Sequence, residues 1–565
     1  MIRNGFLETI DCRGRWSRGC SFAAPAAAAP EAGPEMPPPG LTAGGVAAGV
    51  DQQRGWVPKK DDANVSVEMN LPEMQGSDVR IAVKALHFTG LEETVDEKDL
   101  QSFAAPLLQD EMTIHDLWKV AAQVTNYLHT AGYMSAIAIL PEQEIVDGNV
   151  TMQILIGHYD RAAFENTSEL VTSRAVSFLP AARPGKKILR GPLDRELLIL
   201  NDLPGVKAHA YLSPGRTTGT ADILFRLETT EKEGGAAYID NFGSRYTGRW
   251  RLGGYYYRNN LAHIGDKLAI GALRSHTDDI RSYDVSYEFP VGNGGMFLGI
   301  EGYQTDYVLG KQYRKFEMDG LSHGWRIYTR TPMKRTLNNN TWLRLEYGES
   351  NLSDYIHLIG YDAEKKNRAL RVGFEGLWRS STQAATMKLT HTVGGMKMEN
   401  EITRWQYADT AGSYQKTELD AYDYWRISPA VTLTAQLSAQ YAWDNLDSSE
   451  KLYVGGHNAV RAFPQSEAGG DHGVLGSIDL SFQVPKTRFE IIPFYDIGWV
   501  QYRQSYNGPY DNRRTLAGAG LGLAYRNPGH SYARLDWAYP LSDAYSASAG
   551  EDMHGMWWFQ FVQYF

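Results

Sequence analysis

Cysteine is nearly missing from this chain. Cys12 and Cys20 are the only two among 565 residues, and both sit in a Pro/Ala-rich head. They cannot staple the body or build a cysteine-type zinc site. Long apolar runs are missing as well: no stretch of roughly 18 residues is apolar without interruption, which excludes a membrane-spanning helix. Nor is there a basic surplus. With 56 Lys+Arg against 66 Asp+Glu the net charge is −10, which leaves no footprint for nucleic acid. The glycine-rich stretch Gly518-Ala-Gly-Leu-Gly522 lacks the Gly-Lys-Ser/Thr ending of a phosphate loop. Its glycines are read instead as places where neighbouring strands or a loop approach closely. His87, His115, His129 and His158 are scattered without ligand spacing, so neither a metal nor a cofactor is expected.

What the chain does have is unevenly placed. Of 33 tyrosines, all but Tyr127, Tyr133, Tyr159 and Tyr211 follow residue 235, and 11 of 14 tryptophans do the same. Prolines run the other way, 15 before residue 235 and 9 after. Two kinds of structure therefore meet near Gly234-Gly235. Residues 1–78 read as a disordered Pro/Ala-rich head, or as an unrecognised signal or linker, because too little apolar surface is available to offset ordering. Arg3, Arg13, Arg15 and Arg18 give it charge, but no apolar stretch of a secretory signal follows. The signal is read as missing or the start as misplaced. No convincing amphipathic helix is found in this head.

Two small α/β modules are expected next, at 79–158 and 159–231. In the first, Ile81–Phe88 reads as a strand ending at Thr89-Gly90. Thr94/Glu97 and Thr113/Asp116 read as capping boxes of two helices. The second helix carries Leu117, Val120, Ala121, Val124 and Leu128 on one face, with Gly132 as its C-terminal cap. Strands at Ser135–Leu140 and Asn149–Ile156 complete a β-α-α-β-β order. The second module is a divergent copy, with Asp194 capping a helix that stops at Asn201-Asp-Leu-Pro-Gly205. A hairpin of Val206–Leu212 and Ala221–Glu228 closes it.

The last segment, 232–565, is set apart as one domain, and from residue 236 onward its dominant period is two. Tyr283, Val285, Tyr287 and Phe289 alternate with polar neighbours, as do Leu343, Leu345 and Tyr347, and the series from Val431 to Trp443. A soluble sandwich could show this pattern. Segments of about ten residues with aromatics at their ends instead mark a transmembrane barrel with a polar lumen. Some 331 residues shared among 16 strands leave about 21 each, enough for a span plus a turn. Trp557, Phe559, Phe561 and Phe565 share one face of a terminal strand, which makes sense if it closes the barrel on the first strand. Such endings resemble the assembly signal of bacterial outer-membrane proteins. The fold class expected is mainly β: a 16-stranded antiparallel barrel after two α/β modules.

This layout resembles the TpsB transporters of two-partner secretion, the ShlB/FhaC/HecB-type hemolysin secretion/activation family. The resemblance covers about residues 79–565. It runs through Pro141–Gly148, Asn201-Asp-Leu-Pro-Gly205, Asp240–Arg245 and Tyr287–Gly292. Its most specific parts are Val460-Arg461-Ala462-Phe463, which look like a VRG(F/Y) tip of a loop folded into the lumen (near 450–473), and Phe494-Tyr-Asp496-Ile-Gly498, which looks like the F-x-D-x-G motif of the barrel wall. The resemblance implies that Arg461 reaches Asp496, and the family glycine is here Ala462, a strained choice if that position needs positive φ. It further implies POTRA modules that bind a secreted partner exoprotein, a plug helix in the head, export without ATP, and an outer-membrane site with the modules in the periplasm of a Gram-negative-type bacterium. The partners it implies are that exoprotein, the lipid bilayer, the outer-membrane assembly machinery and periplasmic chaperones; the protein itself would be a monomer. An insertase of the same superfamily is the alternative, although insertases usually carry more POTRA modules. An enzyme is not expected: Asp471-His472 and His276 near Asp278-Asp279 are loop residues with no pairing visible in sequence.

Overall fold

The computed structural model describes residues 39–52, 64–67, 80–92, 95–509 and 511–565. The first correction falls on the head. Rather than disorder throughout, it holds a helix, α1 (Ala43–Gln52), entered by a 3-10 turn at Pro39–Leu41, and a strand, β1 (Asn64–Val67). The sequence Ala-Gly-Gly-Val-Ala-Ala-Gly-Val hides this helix because it has no polar face. Each glycine also costs about 1 kcal/mol of helix propensity, so burial, not propensity, holds α1. Residues 1–38, with Cys12 and Cys20, lie outside the described residues, so the signal and disorder readings there are not addressed.

In the first module the run read as one strand is two. β2 (Arg80–Ala82) pairs with β4 (Glu111–Thr113), and β3 (Ala85–Thr89) pairs parallel with β6 (Asn149–Leu155). β5 (Ile137–Ile139) lies antiparallel on the other side of β6. Helix α2 (Glu97–Ala104) is capped by Asp96, whose carboxylate accepts the Lys98 N–H at 2.9 Å. Thr94 of the expected box lies outside the described residues. Helix α3 (Ile114–Thr130) does open on its box: Thr113 Oγ1 accepts the Asp116 N–H at 3.1 Å, and Asp116 accepts the Thr113 N–H at 3.2 Å. Gly132, at φ +100°, ends it as a glycine cap. The predicted apolar face of α3 is buried against β3, β5 and β6.

The second module consists of β7 (His158–Asn166), α4 (Thr172–Ser177), α5 (Arg190–Asp202), β8 (Val206–Pro214) and β9 (Thr220–Thr229). Asp194 does not cap α5. The helix starts four residues earlier, and Asp194 sits inside it beside Arg190. The sheet order is β1-β8-β9-β7, so the head strand β1 lies parallel on β8. Phe178, Leu197, Leu200, Phe225 and Leu227 fill its core.

Sixteen antiparallel strands then close a barrel, from a first strand at Glu233–Asp240 to a sixteenth at Met556–Tyr564. The two ends meet as expected, with Ala236 opposite Tyr564 and Asp240 opposite Gln560. The faces are inverted relative to a soluble protein. Leu345, Tyr347, Val285, Leu437 and Tyr441 point outward and are exposed, whereas Glu346, Asp354, Lys365, Lys416 and Asp496 are buried inside. That is an apolar belt around a polar lumen. No helix among the described residues is long and apolar enough to cross a membrane. Connections on the module side are short, such as 292–295 and 336–338, and the longer ones (443–471, 502–512, 541–555) lie at the opposite mouth. The second module is docked on its end of the barrel: Asp202 of α5 takes two hydrogen bonds from the buried Arg335, at 2.6 and 2.8 Å.

Candidate functional site

The lumen is filled by two segments, α1 and the connection 443–471. The connection turns back into the barrel and carries Val460, Arg461, Ala462 and Phe463 at its tip, all buried. Arg461 lies against the wall strands His472–Gln483, Phe489–Gln501 and Ser531–Pro540, the twelfth, thirteenth and fifteenth of the barrel. Its guanidinium donates to Asp496 at 2.7 and 2.9 Å, to Asp479 at 2.6 Å and to Ser477 Oγ at 3.1 Å, and stands 3.6 Å from Asp536. Its plane also lies over the Phe494 ring, 3.5 Å from the centroid. The backbone is held too: Arg461 N–H donates to Asp496, and Trp558 Nε1 donates to Arg461 C=O at 2.6 Å. An arginine fork shared among carboxylates is the arrangement that makes a buried cation tolerable.

Small residues on the wall make room for this tip. A side chain at Gly518 would meet the Cβ of Ala462 at 2.6 Å, and one at Gly498 would meet Val454 at 2.7 Å. The first of these explains what the glycine-rich stretch 518–522 does at its start. Ala462 is not among the residues with positive φ, so alanine is unstrained where the family has glycine, and its methyl fills the space that Gly518 leaves.

The sequence did not reveal the rest of the loop's anchors. Asp447 accepts from Lys365 at 2.8 Å, and Glu450 from Asn367, Arg371 and Lys416 at 2.7, 2.9 and 2.9 Å. Asp471, weighed above as a catalytic acid, accepts the Leu446 and Gln504 N–H groups at 3.2 and 2.9 Å and pairs with Lys451. It ties two connections together. α1 is locked into the same network: Asp354 accepts the Ala43 N–H at 2.7 Å and lies 3.9 Å from Lys365, and Thr42 Oγ1 bonds Ser448 Oγ at 2.7 Å. Leu41, Val46 and Val50 pack on Leu273, Tyr307 and Leu352 of the wall. Signals for these anchors existed as single charged residues on inward strand positions, but their partners lie as many as 406 residues away. Trp557, Phe559, Phe561 and Phe565 lie on the outer face of the last strand, with Trp557 and Phe565 most exposed.

Comparison with known proteins agrees with this architecture. The family described as "Haemolysin secretion/activation protein ShlB/FhaC/HecB" matches residues 219–525, more than half of the chain. The chain belongs to that family. The first module matches "POTRA domain, ShlB-type" over residues 81–157. The heme/hemopexin transporter protein HuxB of Haemophilus influenzae is 26% identical over 461 residues, covering 79% of this chain and 80% of HuxB. The outer membrane transporter CdiB of Dickeya dadantii is 21% identical, covering 68% of this chain and 70% of its own. Among solved structures, CdiB from Escherichia coli superposes with a TM-score of 0.69 at 19% identity, over 88% of this chain and 93% of the other. BamA from Haemophilus ducreyi lacking POTRA domains 1–3 shares the fold more distantly, with a TM-score of 0.53 at 14% identity, over 86% of this chain and 100% of the other. The protein is thus a two-partner secretion transporter of the outer membrane, with its POTRA modules in the periplasm and the connections 443–471, 502–512 and 541–555 at the outer mouth.

Proposed function

We propose that this protein exports a large partner exoprotein through its barrel, that the POTRA modules take up the exoprotein's extended N-terminal segment, and that no nucleotide is used. The observation that carries the reading is the closed but non-covalent lumen. A helix and a loop occupy it, and both are held by non-covalent contacts that a passing chain can replace. Transport is then driven by the cargo, through its folding outside. Uptake by strand addition needs a free sheet edge. The outer edge of β8 is occupied by β1, whereas β3 and β5 are the outer strands of the first module's sheet. Slowed amide exchange in β3 or β5 on cargo binding supports that route, and unchanged exchange refutes it. The outward aromatics of the last strand act as its assembly signal in this reading.

Arg461 and Asp496 hold the lumen loop in its working position. Arg461→Ala strands three carboxylates, Asp479, Asp496 and Asp536, with Arg534 as the remaining cation of the cluster. The wall is a continuous hydrogen-bonded ladder that does not depend on the tip, so the barrel still assembles. The test is a secretion assay with the exoprotein encoded beside this gene. Export should depend on the transporter and fall sharply in Arg461→Ala, with the variant still heat-modifiable on a gel. Normal export by that variant would refute the role. Loss of other barrels instead of loss of export would point to an insertase.

A further inference from the structure

The lumen loop carries one more buried carboxylate, with a role that the tip does not explain. Glu467 is 1% exposed and receives five hydrogen bonds. A carboxylate offers about four lone-pair sites, so this one is saturated by its partners. Only one donor belongs to the barrel wall, Arg514 at 2.6 Å. The other four come from the outer connection 541–555: Ser546 Oγ at 2.9 Å, the N–H groups of Ala547 and Ser548 at 2.8 and 3.1 Å, and Ser548 Oγ.

That connection continues into two more. Tyr246 donates to Ser548 C=O, and Arg245 donates to Ala549 C=O at 2.8 Å. Both belong to the connection 241–250. Gly310 N–H in turn donates to Tyr246 C=O at 2.7 Å, and the rings of Tyr246 and Tyr313 meet edge-on at 5.2 Å. Tyr246 and Tyr313 are buried in the same cluster as Leu41, Val46 and Val50 of the plug. Three outer connections thus form one cover resting on α1, and Glu467 grips it from the lumen side.

We propose that Glu467 is a positioning residue that latches this outer cover to the lumen loop, so that cover and loop leave the pore as one unit. Lifting the cover alone would strip the buried carboxylate of four of its five donors, which is the costly way to break a charge-assisted cluster. Moving both together costs Glu467 only its bond from Arg514 and keeps the other four. Export gives the latch its purpose, but the latch can be tested without any exoprotein.

The test places Ala48→Cys on the plug, in a full-length background with Cys12→Ser and Cys20→Ser, and adds a membrane-impermeant maleimide to intact cells. Labelling should speed up about tenfold in Glu467→Ala, the gain in open population expected from losing roughly one charge-assisted hydrogen bond. Ser546→Ala/Ser548→Ala should speed labelling in the same direction but less, because it removes two of the cover's four donors and leaves the Ala547 and Ser548 N–H groups and Arg514 on Glu467. The combined variant should be no faster than Glu467→Ala, since both changes break one interaction. If Glu467→Ala labels faster but the serine pair does not, Glu467 merely pins the loop to the wall and the latch is wrong. Equal labelling in all variants, or additive effects, also overturns it. Heat-modifiability confirms assembly of each variant, and the milder serine pair keeps the test decisive if Glu467→Ala fails to assemble.

Discussion

At the scale of single residues, the lumen tip depends on charges brought together from strands distant in sequence. The pairing of Arg461 with Asp496 was legible because two short motifs marked both partners. Asp479, Asp536, Arg534 and Trp558 were not, since they come from three strands, the twelfth, fifteenth and sixteenth, and only barrel closure and register bring them to the tip. Breaking a buried pair on one side costs about 3–5 kcal/mol, enough to release a loop tip but small against the ladder of the wall. A second buried charge sits in the periplasm. Glu196 of α5 accepts the Ala181 N–H at 2.6 Å, while its other oxygen is buried without a hydrogen bond among the described residues. Burial is the main cause that raises its pKa to about 7. A carboxyl whose folded pKa lies above its unfolded value of 4.5 binds more protons folded than unfolded. Stability of this module therefore falls as pH rises from about 4.5 to 7, and the full penalty persists above that window. Glu196→Gln should remove the penalty. Amide exchange at residues 181–182 should match wild type at pH 4 and be slower than wild type at pH 8; equal exchange at both would show that Glu196 ionises freely.

At the scale of elements, strands were far easier to read than the plug. A strand with one face in lipid and one in a polar lumen must alternate, so period two survives in the sequence wherever the wall is regular. α3 was legible for a similar reason, having one buried face and a capping box. α1 offered neither signal because it is built from small apolar residues and is buried over most of its described length, with Ala47 and Ala48 only partly so. The reason for those residues is packing: a side chain at Gly44 would meet the Ser449 N at 2.7 Å, and one at Gly40 the Ser466 C=O at 2.7 Å. The plug and the lumen loop touch backbone to backbone. Gly44→Leu cannot be accommodated without moving one of them, since the atom it meets is main chain. The purified variant should show larger or more frequent openings in planar bilayers than wild type, with the barrel assembled. Unchanged conductance would mean that the helix does not close the lumen.

At the scale of the whole molecule, charge is divided between the modules in a way no single element reveals. The POTRA span 81–157 carries 11 acidic and 3 basic residues, whereas 159–231 carries 9 acidic and 10 basic. Most of the net charge of −10 therefore sits on the module farthest from the barrel in sequence. Around the turn 141–148, exposed Val146 is flanked by Glu142, Glu144 and Asp147, and Asp110 and Glu111 lie beside the adjoining strand β2. A field of one sign steers a partner of the other sign and acts mainly on the association rate. If the POTRA modules receive the exoprotein as proposed, the segment that meets the first module is cationic. Raising ionic strength from roughly 0.01 to 0.15 M shortens the screening length from about 30 to 8 Å. The association rate of the exoprotein's N-terminal fragment with the purified transporter should then fall several-fold, with dissociation nearly unchanged. Reversing charge at Glu142, Glu144 and Asp147 should flatten that salt dependence. An association rate indifferent to salt would leave the acidic module as a solubilising surface and move recognition to the neutral second module.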